Sequence, residues 1–113
     1  MVRSYVPEAG DLVWLEFDPQ VGREQAGHRP AIVLTPQVYN KKTSLMICCL
    51  LTTQIKGYPF EVIVELDGVQ SAILSDQVKS LDWKIRKAKY KNKVRPEVLA
   101  EVRAKAKSLL SIS

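Results

Sequence analysis

Residues 28–53, HRPAIVLTPQVYNKKTSLMICCLLTT, hold two apolar runs separated by a polar connection, and how they pair decides the fold. Pro30 to Thr35 and Leu45 to Thr53 are short, rich in branched or small apolar residues and bounded by turn formers, so both read as strands. The second run is apolar on both faces, which predicts a central place in a sheet. The connection is short and centred near Asn40-Lys41. Folded as an antiparallel hairpin, the runs oppose residues whose numbers sum to about 81, so Arg29 faces Thr52 at the end far from the turn.

Working outward, DLVWLEF (11–17) alternates Val13, Leu15 and Phe17 against Leu12, Trp14 and Glu16 and reads as the first strand. Asp18-Pro19 ends it, and the polar stretch Gln20 to His28, with two glycines, reads as a mobile loop. FEVIVEL (60–66) and AILSDQVKSL (72–81) are the fourth and fifth strands, with turns at Lys56-Gly57-Tyr58-Pro59 and Asp67-Gly68. Carrying the hairpin rule through those turns places Thr52 near Glu61, and Glu61 toward Asp76 and Gln77. Pro96 then opens a helix whose stripe is Val98, Leu99, Val102, Ala106, Leu109 and Leu110. About five strands and a C-terminal α-helix predict a mainly β chain: one domain over 1–113, a small twisted barrel with the helix packed on it.

Apolar residues make up 46% of the chain and charged residues 26%, the proportions of a soluble globular protein. The start, MVRSYVPEAGD, lacks an apolar core of signal-peptide length, and no run is long enough to cross a membrane, so a cytoplasmic protein is expected. Cys48 and Cys49 are adjacent and read as small buried hydrophobes. They and the single His28 leave little material for a zinc site. Any hydrolytic chemistry is therefore expected to be metal-free or to use a loosely held magnesium ion. Charge is uneven: residues 1–78 carry six basic and nine acidic side chains, whereas 79–113 carry eleven and three. The basic third suits a polyanion, either nucleic acid or an acidic protein segment; solvated lysines on a terminal helix would give the same count. From Lys87 to Arg95 every second residue is basic, which puts five cations on one side of an extended segment.

Arg29 precedes Pro30, which biases it toward an extended backbone and fixes where its guanidinium starts. Such a fork at a concave edge suits a phosphate, and Thr52 adds a hydroxyl donor. The same residue types also allow a surface ion pair from Arg29 to Glu24 or Asp76. Gln77 and Lys79, polar on one face of the fifth strand, and Lys56 in the preceding turn are candidates for contacts to phosphate or base. Trp14, Trp83, Tyr58 and Phe60 could stack on bases or serve packing.

The set GDLVWLEFDP, EQAGHRP, TTQIKGYPFEV and SDQVKSLDW, in this order and spacing, strongly resembles the MazF/PemK family of toxin endoribonucleases, nearer its MazF branch. The resemblance runs from Tyr5 to the terminal helix. It implies an SH3-like barrel plus helix, a homodimer, sequence-selective cleavage of single-stranded RNA without a cofactor, and neutralisation by a MazE-like antitoxin with an acidic C-terminal tail. It also implies that Arg29 and Thr52 are catalytic, with Glu24 the sensitive glutamate of the loop and His28, Lys56, Gln77 and Lys79 candidates for RNA contact. KIRKAKYKNKVR (84–95) is more basic than the family pattern leads one to expect. Two other readings share the fold: a CcdB-like gyrase inhibitor and a barrel that binds RNA without cutting it.

Overall fold

A computed structural model describes residues 4–17 and 27–111. Among these, six strands form one antiparallel sheet: β1 (Asp11–Phe17), β2 (Gly27–Val33), β3 (Leu45–Thr52), β4 (Glu61–Leu66), β5 (Val69–Asp82) and β6 (Lys89–Lys93). Two helices accompany them, α1 (Gln37–Thr43) and α2 (Pro96–Leu110).

The β2–β3 register is Ala31 with Leu50, Ile32 with Cys49 and Val33 with Cys48, the pairing expected from sequence. The connection, however, is helix α1 rather than a tight turn. Pro36 enters it extended, and Ser44 ends it in the left-handed region at φ 62°. The helix is centred on Asn40, so the register is unchanged.

Asn40 is fully buried, which is costly for an amide unless its polar atoms are paired. They are: Nδ2 donates to the carbonyls of Pro7 (2.8 Å) and Thr35 (3.0 Å), and Oδ1 accepts from the Thr35 hydroxyl (2.7 Å). Its backbone carbonyl accepts from Trp83 Nε1 at 2.8 Å. One side chain thus ties the N-terminal segment, the connection and the end of β5 together.

Strand order is β4-β5-β3-β2-β1-β6, which corrects the expected run of consecutive hairpins. Thr52 pairs with Ala72 of β5, and Glu61 pairs with Leu74. The long strand β5 serves both neighbours by bending. Cys49 pairs with Val78 and Leu51 with Ile73, so residues 74–77 stand opposite Leu50 alone. Such an insertion bends a strand and re-aims its side chains. Strand β6 is a second departure. A lysine-rich edge strand has no apolar alternation to announce it, and it is held by pairing with β1.

The β6 ladder skips Lys91 between Leu12–Asn92 and Val13–Tyr90, which breaks the expected one-sided basic stripe. Lys89 lies beside Trp14 and His28, whereas Lys93 pairs with Asp11 at 3.0 Å and Lys91 with Asp67 at 2.8 Å.

Alternation along the strands sorts the core onto two faces. Leu12, Ile32, Cys49 and Leu51 meet Val62, Leu66, Ile73 and Val102 of α2 on one face. Val13, Leu15, Ala31, Val33, Cys48 and Leu50 meet Trp83 on the other. Helix α2 begins at Pro96 and buries Val102 and Ala106, two members of the predicted stripe, while Leu109 and Leu110 stay exposed. No described helix is long and apolar enough to cross a membrane.

Candidate functional site

Pro30 opens the site. It has no N–H to give a ladder, and the recorded β2–β3 pairing stops at Ala31–Leu50. Beyond that point the strands carry Arg29 and Thr52, which extension of the register sets opposite each other. Both residues line the same two cavities, one of about 150 Å³ and one of about 400 Å³.

Neither side chain is consumed internally. Arg29 is exposed, and no described carboxylate lies within ion-pair distance of it. Its guanidinium stands 5.8 Å from the Phe17 ring, whose centroid also has Arg86 at 4.3 Å. A cation over an aromatic face is attracted by the ring's quadrupole, so Phe17 steadies Arg29 without neutralising it. Thr52 Oγ1 accepts from the Gln54 N–H at 3.1 Å. That bond uses a lone pair and leaves the hydroxyl proton for donation.

The smaller cavity is polar. Lys56, Gln77, Gln54 and Tyr58 line it, with Glu61 at its side. Glu61 is a buried carboxylate, and it holds the loop beside it: the Lys56 and Gly57 N–H groups donate to Oε2 and Oε1 at 3.0 and 2.7 Å. Gly57 takes φ 84°, a left-handed conformation that a side chain would strain. The Tyr58 hydroxyl donates to Asp76 at 3.2 Å, and Lys105 of α2 donates to the Pro59 carbonyl at 2.6 Å. Lost hydration and the neighbouring Asp76 push the Tyr58 phenol above its usual range, so it remains a donor at neutral pH. The loop carrying Lys56 is therefore fixed from below.

The other expected residues are placed as follows. His28 is exposed, lines the larger cavity, and has Nε2 3.7 Å from Glu16 on the adjacent strand. Lys79 is exposed opposite Cys48 and lines neither cavity. Glu24 lies outside the described residues. Sequence reasoning brought Glu61 to this rim through the wrong strand order and missed both its grip on the loop and the part of Gln54. A carboxylate four residues after Gly57 was the available signal. The larger cavity adds Trp14, Leu51, Leu66, Asp67, Val69 and Ser71. Among the described residues no three His, Cys, Asp or Glu side chains cluster as metal ligands. The two cysteines are buried, and desolvation pushes Cys48 up to about 12 and Cys49 to about 11, so both are neutral thiols at physiological pH.

Comparison with known proteins follows this geometry. A family model for PemK-like, MazF-like toxins of type II toxin-antitoxin systems matches residues 8–110. The endoribonuclease toxin MazF of Escherichia coli K12 is 53% identical over 113 residues, covering 97% of this chain and 99% of its own length. The endoribonuclease PemK of Escherichia coli is 28% identical over 113 residues, covering 92% and 82%. Among solved structures, a MazE-MazF complex from Deinococcus radiodurans has a chain 51% identical to this one, with a TM-score of 0.89, covering 97% of this chain and all of its own.

Proposed function

The chain belongs to the PemK-like, MazF-like toxins of type II toxin-antitoxin systems and is an endoribonuclease toxin, and we propose that Arg29 and Thr52 are the groups that act on the scissile phosphate of a single-stranded RNA. The observation that supports this is that both donors, internally unspent, line the same cavities.

The reaction is attack of the ribose 2′-OH on the adjacent phosphorus. The P–O bond to the 5′ oxygen of the next nucleotide breaks, leaving a 2′,3′-cyclic phosphate and a 5′-OH. Negative charge builds on the non-bridging oxygens, where the Arg29 guanidinium and Thr52 hydroxyl donate. Donors fixed before reaction are worth more than those that must reorient, because their ordering does not oppose the barrier crossing. A guanidinium titrates above about 12, so Arg29 serves as donor rather than base. The 2′-OH proton goes to Glu24 or His28, whose intrinsic acidities suit the task. Lys56 and Gln77 contact the base or phosphate held in the smaller cavity.

The toxin works as a homodimer in the cytoplasm, needs no metal, and is neutralised by a MazE-like antitoxin whose acidic C-terminal tail meets its basic surface. The gyrase-inhibitor and non-cutting readings leave Arg29 and Thr52 without a task and are set aside. Incubation of the purified protein with mixed-sequence RNA in EDTA, followed by sequencing of the products and analysis of their ends, tests the reading. Cuts at one recurring short sequence with cyclic-phosphate ends are expected; intact RNA, or activity only with added metal, would overturn it.

A further inference from the structure

Arg29 and Thr52 form a wall shared by two cavities of opposite chemistry. The smaller is polar, while the larger has the buried Leu51 and Leu66 beneath it and Trp14 and Val69 at its sides. We propose that the larger cavity is a second nucleobase pocket, which takes the base on the other side of the scissile phosphate from the one read by Lys56 and Gln77.

The inference rests on the RNA cleavage proposed above. A strand whose phosphate is held at Arg29 and Thr52 extends away in both directions, and each direction leads into one cavity. Sugar and phosphate gain nothing from an apolar surface; the base faces are the apolar part of a single strand, and proteins take them by stacking on aromatic side chains. Trp14 is suited to this. It is half-buried, fixed in β1 between Pro30 and Lys89 on the neighbouring strands, and lines the cavity. The rim is also built rather than loose. Asp67, at φ 54° in the β4–β5 turn, is tied to Lys91 of β6 at 2.8 Å, which joins the two edges of the sheet beside the cavity. A volume near 400 Å³ accommodates a base with its ribose. This pocket also gives Trp14, polar-edged and otherwise unexplained on a half-exposed surface, a task.

The test uses oligonucleotides carrying the preferred cut site, each with one abasic nucleotide immediately 5′ or 3′ of the scissile linkage. The intact protein is expected to lose activity on both, by about ten- to a hundredfold each, since each cavity loses its base. Val69→Trp, a change at a residue 51% exposed on the cavity rim, fills the larger cavity without entering the core. It is expected to cut intact RNA about tenfold or more slowly. It should also be indifferent to one of the two abasic substitutions while keeping its sensitivity to the other. Sensitivity of the intact protein on one side only overturns the proposal, even if the variant fails to fold. So does a folded Val69→Trp with unchanged rates. A protein that cuts no RNA removes the functional reading itself; one that cuts but ignores one flanking base removes only the second pocket.

Discussion

The β2–β3 hairpin has two ends that handle polar groups in opposite ways. At the α1 end Asn40 is wholly buried and each of its side-chain polar atoms is bonded within the chain. At the other end Pro30 stops the ladder, and Arg29 and Thr52 keep donors that the described protein does not use. Satisfied polar groups contribute to stability and fix a connection; donors held in place but unsatisfied are available to a ligand. One pair of strands thus carries its structural and its chemical load at opposite ends, and substitutions should separate the two.

The largest effect is expected at the open end. Arg29→Ala should lower the cleavage rate by about 10²- to 10³-fold, the usual loss of one preorganised donor, with no change in melting temperature. A gel assay beside thermal melting checks both, and a rate within tenfold of the native protein would remove Arg29 from the chemistry. At the closed end the pattern reverses. Asn40→Ala strands buried partners and should cost about 1–3 kcal/mol of stability in denaturant unfolding, while the kcat of the folded fraction is kept.

Glu61 lies between these extremes, because its carboxylate is a structural acceptor that holds a functional loop. Glu61→Gln keeps the shape but offers an NH2 to one of the two backbone donors. A rise in KM for RNA of about three- to tenfold, with kcat little changed, is expected from the loosened Lys56 loop. A fall in kcat alone would place Glu61 in the chemistry instead. The smallest effect concerns pH. Folded Cys48 and Cys49 titrate near 12 and 11, well above an unfolded thiol near 8.5, so above about pH 8.5 the unfolded chain releases protons that the folded one keeps. Stability should therefore fall as pH rises from about 8.5 toward 11, and Cys48→Ala should flatten that slope in melts across the range.

The same contrast explains what the sequence disclosed. The hairpin register came through despite an unforeseen helix, because apolar runs define pairing by alternation and a helix centred on Asn40 leaves the sum unchanged. Arg29 and Thr52 followed from that register. Strand order did not follow: pairing β4 onto β5 rather than β3 is decided by the bend at residues 74–77, whose polar Asp76 and Gln77 look like any exposed strand positions. The lysine stripe misled because a single bulge at Lys91 reverses which way its neighbours point. Glu61 arrived at the rim by a wrong route, and its two backbone partners depend on a loop conformation that composition does not encode.

One double-substitution cycle bears most directly on the shared role of Arg29 and Thr52. If both donate to the same phosphate in one transition state, they act as a unit. Arg29→Ala with Thr52→Ala should then be scarcely slower than the worse single variant. Losses that multiply in full, or single variants that each cut at near-native rates, would mean that the two groups do not converge on one scissile linkage.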